Sequence, residues 1–198
     1  MGTTIPSIDT PSLLPIARHR FTVDDYYRMA ESGILSPTDR VELIEGAIVD
    51  LNPMGSKQAA CLTRLDDLIR PGLVSMNASL RTQCPIHLSD DSEPEPDLAV
   101  VVKRADHYSS AHPEARDVLL LIEVAESSRT YDLTVKVPLY ARFAVPEVWI
   151  IDLERDVVEV RRRPESGAYA EAVALRRAEF AQSTSLPSLR LDVAAVLG

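Results

Sequence analysis

The sequence is poor in the residues that bind zinc. It has two cysteines, Cys61 and Cys84, and four histidines, His19, His87, His107 and His112, none at the spacing of a ligand motif. The cysteines fall on different predicted elements and read as reduced, buried small hydrophobes of a cytoplasmic protein. No run of eighteen apolar residues occurs, which argues against a membrane partner. The opening MGTTIPSIDTPSLLPIARHR lacks a basic start followed by a long apolar stretch. It reads as a loose arm over residues 1–20, with Leu13, Leu14 and Ile16 tucked against the domain, and not as a secretory signal. Positive charge is also scarce. A formal net charge of −9 argues against a general nucleic-acid coat but leaves room for an enzyme with local basic groups. One Trp, six Tyr and three Phe form no visible platform for stacking unpaired bases. There is no internal repeat and no linker. With 45% hydrophobic residues, positions 21–198 read as one domain with a real core.

What the chain does have is acidic residues where apolar ones belong. Val118–Ile122 reads as a strand apolar on both faces, and Glu123 continues the run in DVLLLIEVAE. A carboxylate there is costly unless a metal, a cation or hydrogen bonds compensate it. Asp97 follows Pro96 at the mouth of a second apolar strand, Leu98–Lys103. Glu42 interrupts RVELIEGAIVDL, a predicted hairpin about Glu45–Gly46, where an ordinary edge-strand glutamate is the competing reading. The other acids of SDDSEPEPD, namely Asp90, Asp91, Glu93 and Glu95, read as a solvated, proline-stiffened turn.

The remaining pattern predicts a helix over Phe21–Ser32, capped by Thr22 and stopped at Gly33. A second runs from Lys57 to Leu68, buries Ala60, Cys61, Leu62, Leu65, Leu68 and Ile69, and ends at Pro71–Gly72. A strand over Leu80–Leu88 carries Gln83, a polar group that could aim at a site. In the helix predicted over Tyr131–Phe143, Asp132, Lys136 and Tyr140 are spaced by four and share a face, so Asp132 and Lys136 are placed to pair. Pro138 costs about 3 kcal/mol inside a helix, which predicts a kink or break near Lys136. VPEVWIIDL is a further buried strand, a hairpin turns over Pro164–Gly167, and a short helix closes the chain. Arg161, Arg162, Arg163, Arg176 and Arg177 read as solvated strand ends.

Metal-assisted hydrolysis of a phosphodiester needs oxygen ligands that leave positions open for water and phosphate. Asp97 and Glu123 supply these if their strands are neighbours, and the backbone carbonyl of Val124 could add a third. A nearby cation orients water and offsets developing charge. Position 125, on the face of Glu123, is alanine, and Lys136 could reach the space it leaves. The structural alternative, a buried Glu123–Lys136 salt bridge, does not account for Asp97.

Asp97 after proline, then Glu123-Val124-Ala125, then Lys136 resembles the PD-(D/E)XK nuclease pattern with its lysine moved to the following helix. More closely, the chain resembles the Uma-two family, a bacterial group of restriction-endonuclease-like proteins. The resemblance covers about Phe21–Leu197 and rests on RVELIEGAIVDLNPMG, SEPEPDLAVV, LLLIEVAESS, YDLTVKVPLYA and VPEVWIIDL, in that order. It implies an α/β (α+β mixed) fold, a central mixed sheet flanked by helices with an N-terminal helix and a β-hairpin. It further implies Mg²⁺ or Mn²⁺ at Asp97 and Glu123, Lys136 as the catalytic lysine and Glu42 as a further acidic member. Gln83, Asp132 and Tyr140 would support them. The activity implied is metal-dependent endonucleolytic hydrolysis, of DNA in preference to RNA, by a homodimer. The alternatives are a catalytically weak or inactive nucleic-acid- or partner-binding module, and a metal hydrolase of RNA or a small molecule. Gln58 stands where the family is expected to carry histidine and Leu133 where it commonly carries arginine or another polar residue; neither departure is expected to touch the metal ligands.

Overall fold

The computed structural model describes residues 18–126 and 128–198. The expected docking of Leu13, Leu14 and Ile16 lies outside them. Six strands, β3 (Ala78–Thr82), β4 (Leu98–Val102), β5 (Val118–Ala125), β6 (Glu147–Asp152), β7 (Val157–Glu165) and β8 (Ala168–Leu175), form one sheet in that order. All neighbours are antiparallel except β5 and β6. That parallel pair needs a crossover, which is helical: a turn α3 (Arg129–Tyr131), a π-helical turn (Asp132–Lys136) and α4 (Val137–Arg142). A mixed sheet flanked by helices is the expected architecture.

Alternation along the strands divides the core in two. Leu98, Val100, Ile122, Val124 and Trp149 pack against α2 (Ser56–Leu73) and α5 (Val193–Leu197) on one face. Ala99, Leu121, Ala125, Val148 and Ile150 pack with Leu139 and Tyr140 of the crossover on the other. Each fully buried large apolar side chain contributes roughly 1.5–3 kcal/mol. Glu123, between Leu121 and Ala125, belongs to the crossover face by period-two alternation. Outside the sheet, α1 (Val23–Glu31) carries the expected Thr22 cap, completed by Asp25 as a capping box. β1 (Val41–Ile44) and β2 (Ala47–Asp50) form the expected hairpin, with Glu45 and Gly46 both at positive φ. A small ribbon of β9 (Phe180–Gln182) and β10 (Arg190–Asp192) precedes α5.

Several expectations are corrected. α2 continues through Pro71 and Gly72 to Leu73, whose burial with Ile69 and Leu65 holds the last turn, while Ala60 and Leu68 are exposed. The strand expected over Leu80–Leu88 stops at Thr82, because Gln83 takes a positive φ and turns the chain out of the ladder. The β7–β8 turn falls at Ser166–Gly167, both at positive φ; Pro164 is still paired with Tyr169. β6 reaches only Arg162, so a missing N–H at Pro164 costs nothing on that side. Pro138 sits in the first turn of α4, where its absent N–H is tolerated, and the expected break takes the form of the π turn before it. Cys84 is half-buried rather than buried. Arg162 and Arg161 are not solvated ends: Arg162 binds Glu147 and Arg161 binds Glu159.

Candidate active site

Leu98 pairs with Ile122 in the sheet, which sets Asp97 beside Glu123 where β4 begins and β5 ends. The two acids interlock through the backbone. The Asp97 N–H donates to Glu123 Oε2 at 3.3 Å, and the Val124 N–H donates to Asp97 Oδ2 at 2.8 Å. Glu123 Oε1 accepts from the Tyr140 hydroxyl at 2.6 Å and lies 2.9 Å from Lys136 Nζ. Lys136 also contacts Glu42 Oε2 at 3.4 Å and the Glu95 carbonyl at 3.2 Å. Glu42, Glu123 and Lys136 are 1%, 3% and 3% exposed. Glu42 additionally accepts from the Glu95 N–H at 2.9 Å and the Tyr131 hydroxyl at 2.9 Å.

The π turn explains how one short crossover supplies so many inward groups. Its wider spiral turns both Asp132 and Lys136 inward, and α4 then buries Tyr140. The expected Asp132–Lys136 ion pair is not formed: Asp132 accepts from the Ser128 hydroxyl at 2.7 Å, and Lys136 pairs with Glu42 and Glu123. The shared face of Lys136 and Tyr140 is formed, since both meet Glu123 Oε1.

Asp97, Glu123, Tyr131, Asp132 and Lys136 open on a cleft of about 580 Å³ whose other wall is the segment from Val49 to Gly55. Gln83 lines it. Gln58 also lines it, and its amide donates to Asp97 Oδ2 at 3.4 Å. This corrects the expectation that Gln58 stays clear of the acids, because the first turn of α2 faces the cleft. Leu133 packs into the apolar layer of the crossover face. Glu95 and Glu93 are corrections as well. Glu93 bridges to Leu43 of β1 and is buried, with Tyr27 and His87 as partners. Glu95 is half-buried on the cleft, and burial raises its carboxyl above the usual range.

Burial likewise raises the Glu123 carboxyl above the usual range, with Asp132 and Asp97 adding to the shift, while the Lys136 ammonium 2.9 Å away opposes it and favours the ionised form. Burial works against the Lys136 charge, but Glu123, Glu42 and Asp132 outweigh it and hold its pKa above the ordinary lysine value. Asp132 is raised, chiefly by burial. Six acidic residues line the cleft (Asp50, Glu95, Asp97, Glu123, Glu126, Asp132) against two basic ones, Arg40 and Lys136. Among the described residues no group of three His, Cys, Asp or Glu side chains is arranged to hold a metal. Asp97 and Glu123 thus offer two carboxylates amid an excess of negative charge, a donor chemistry that suits a hard divalent cation keeping several waters.

Residues 23–194 match the model of the Uma2 (Uma-two) family, described as "putative restriction endonuclease". The chain belongs to this family. As a Uma2 member it shares its fold with a solved structure titled a "putative nuclease belonging to DUF820" from Anabaena variabilis ATCC 29413. The TM-score is 0.62 at 18% identity, over 89% of this chain and 97% of that one. A cryo-EM structure of a DrdV–DNA complex matches at a TM-score of only 0.31 and 12% identity, over 60% of this chain and 12% of that one. No curated protein matches the sequence. No described helix is long and apolar enough to cross a membrane.

Sequence reasoning did not find Tyr131 or the backbone of Glu95, both of which hold the site together. A tyrosine just before Asp132 carries no local signal. Its role depends on β1 lying against the crossover.

Proposed function

We propose that this Uma2 protein is a metal-dependent endonuclease of the PD-(D/E)XK type, acting on phosphodiester bonds in DNA. One observation carries this reading: Asp97 and Glu123 interlock at adjacent strand ends, with the Lys136 ammonium 2.9 Å from Glu123, beside one cleft. Mg²⁺ or Mn²⁺ would be held by Asp97, Glu123 and the Val124 carbonyl, and would supply Lewis-acid charge to a phosphate oxygen and acidify a water. The Val124 N–H leaves β5 toward Asp97, and in a strand the carbonyl of the same residue leaves by the same edge.

The chain's own groups do the rest. Lys136, whose head group lies among Glu123, Glu42 and the Glu95 carbonyl, acts as an ammonium that holds Glu123 and offsets charge developing on phosphate. Tyr140 fixes the Glu123 carboxylate. Gln58 steadies Asp97, and Gln83 offers an amide to substrate from the cleft wall. Asp132, held by Ser128, adds negative charge that favours a cation. The family description, restriction endonuclease, supports DNA over RNA. Cutting both strands of a duplex with one site per chain favours a homodimer. We take residues 21–198 as one nuclease-like domain, and the free Cys61 and Cys84 suit a reducing cytoplasm.

The test is calorimetric titration of Mn²⁺ into the wild type, Asp97→Ala and Glu123→Ala, with the same proteins incubated with plasmid and single-stranded DNA. Binding and Mn²⁺-dependent nicking by the wild type, lost in both variants, is the expected result. If Asp97→Ala binds Mn²⁺ as well as the wild type, the assignment fails. A second reading, a partner-binding module of little catalytic power, is favoured by the excess of acids over bases on the cleft, which repels a phosphate backbone while no metal is held there. A wild type that binds neither Mn²⁺ nor DNA would support it.

A further inference from the structure

We propose that Glu42 and Tyr131 are a positioning pair for the Lys136 ammonium, and that Glu42 is not a ligand of the metal. The part of this that concerns catalysis rests on the nuclease reading above. The geometry of the pair stands on its own.

An ammonium has three N–H groups. Lys136 meets three acceptors: Glu123 Oε1 at 2.9 Å, the Glu95 carbonyl at 3.2 Å and Glu42 Oε2 at 3.4 Å. Two of these belong to the site itself or to the backbone beside it. Glu42 alone comes from the β1–β2 hairpin, outside the main sheet. It is therefore the contact that ties the lysine, held on β5 by Glu123, to the β1–β2 hairpin.

Both Glu42 oxygens are occupied within the protein. Oε2 takes the Glu95 N–H at 2.9 Å as well as Lys136, and Oε1 takes the Tyr131 hydroxyl at 2.9 Å. Two further observations separate it from a ligand. Asp97, Glu123 and Lys136 line the cleft, and Glu42 does not. It also fails to make a third acid with Asp97 and Glu123, since no group of three such side chains is arranged for a metal among the described residues. Glu42 stands behind the lysine.

Tyr131 completes the arrangement. It sits immediately before the π turn that carries Lys136, and its single hydroxyl proton goes to Glu42. The link ties the start of the crossover to β1, so the lysine is held at its head group by Glu42 and along its backbone by Tyr131. Tyr131 also lines the cleft.

The test uses the full chain labelled with ¹⁵N-lysine, in the wild type, Tyr131→Phe, Glu42→Gln, Lys136→Met and Asp97→Ala. Lys136→Met assigns the Lys136 ammonium signal, whose hydrogen exchange is then measured alongside Mn²⁺ affinity by calorimetry and nicking rate at saturating Mn²⁺. Loss of the charge that faces the ammonium should speed its exchange by about tenfold in Glu42→Gln, and by less in Tyr131→Phe, where the bond lost is one to Glu42 and none of the ammonium's own. Mn²⁺ affinity should stay at the wild-type value in both, while the nicking rate falls with KM for DNA unchanged. Tyr131→Phe removes one oxygen and keeps the ring, so it remains informative where Glu42→Gln does not fold. Loss of Mn²⁺ binding in Glu42→Gln, as in Asp97→Ala, would make Glu42 a ligand and overturn the proposal. Wild-type ammonium exchange in Tyr131→Phe would overturn it too. A wild type that binds no Mn²⁺ and cuts no DNA sinks the nuclease reading, and the exchange comparison still decides the positioning pair.

Discussion

Tyr140 and Lys136, one helical turn apart, converge on a single oxygen of Glu123: the phenol donates at 2.6 Å and the ammonium lies at 2.9 Å. Both are buried, as is the carboxylate they share. One Glu123 oxygen is thus fully committed to the protein. The other, which takes the Asp97 N–H at 3.3 Å, is more loosely held. This asymmetry gives the site a rigid side and a side free to bind.

Tyr140→Phe keeps the ring in its buried place and removes one donor to a charged acceptor. We expect a stability loss of about 1.5–3 kcal/mol in urea unfolding. Mn²⁺ binding should weaken as well, because Glu123 loses the bond that fixes its orientation. Unchanged stability and unchanged affinity together would mean that the phenol contributes nothing to the carboxylate.

A second buried carboxylate, Glu147, is structural. Its oxygens accept from Trp149 Nε1 at 2.7 Å, the Ser183 hydroxyl at 2.8 Å, the Thr184 N–H at 2.9 Å and Arg162 Nε at 3.1 Å. Burial alone would raise its carboxyl, but these hydrogen bonds outweigh burial and lower it below the ordinary 4.5. A lowered folded value means that folding favours the ionised form. The contribution is therefore complete above about 4.5 and is lost as pH falls through the folded value. Glu147→Gln should cost roughly 1.5–3 kcal/mol at pH 7 and flatten the fall in stability below pH 4.5. Unfolding curves at pH 3 to 7 check this, and a variant with the full acid-limb slope would contradict it.

The β1–β2 hairpin that carries Glu42 depends on Gly46. Its φ is +74°, and a Cβ there would meet the Arg20 Cβ at 2.5 Å and the Arg20 Cα at 3.0 Å. Gly46→Ala should cost at least about 1–2 kcal/mol from the left-handed backbone alone, more with the clash. Thermal unfolding gives the number. A neutral effect would show that the hairpin can re-form its turn without the glycine.

The main strands were legible in the sequence because their apolar runs are nearly unbroken, and Asp97, Glu123 and Lys136 stood out because each interrupts such a setting. Glu42 was legible as an oddity, but its partners were not, since they come from two distant parts of the chain, the acidic turn and the crossover. The acidic turn misled for a different reason. Glu93 and Glu95 sit among prolines and polar residues, which composition reads as solvent, yet the segment runs between β1 and the main sheet as backbone support. The Asp132–Lys136 pair failed because spacing by four assumes an α-helix, and the chain widens there into a π turn.

Lys136→Met separates a catalytic lysine from a structural one. The substitution removes the only cation that directly contacts Glu42 and Glu123 among the described residues. Two buried acids are then left without a counter-charge, and such a loss costs roughly 3–5 kcal/mol when nothing replaces it. A divalent cation at Asp97 and Glu123 would replace it. We therefore expect Lys136→Met to be less stable than the wild type without metal, to recover much of that loss with Mn²⁺, and to bind Mn²⁺ at least as tightly, while nicking activity disappears. Thermal unfolding with and without Mn²⁺, together with calorimetry, reads each quantity. Loss of Mn²⁺ binding in this variant would mean that the lysine builds the acidic site instead of acting on what the site holds.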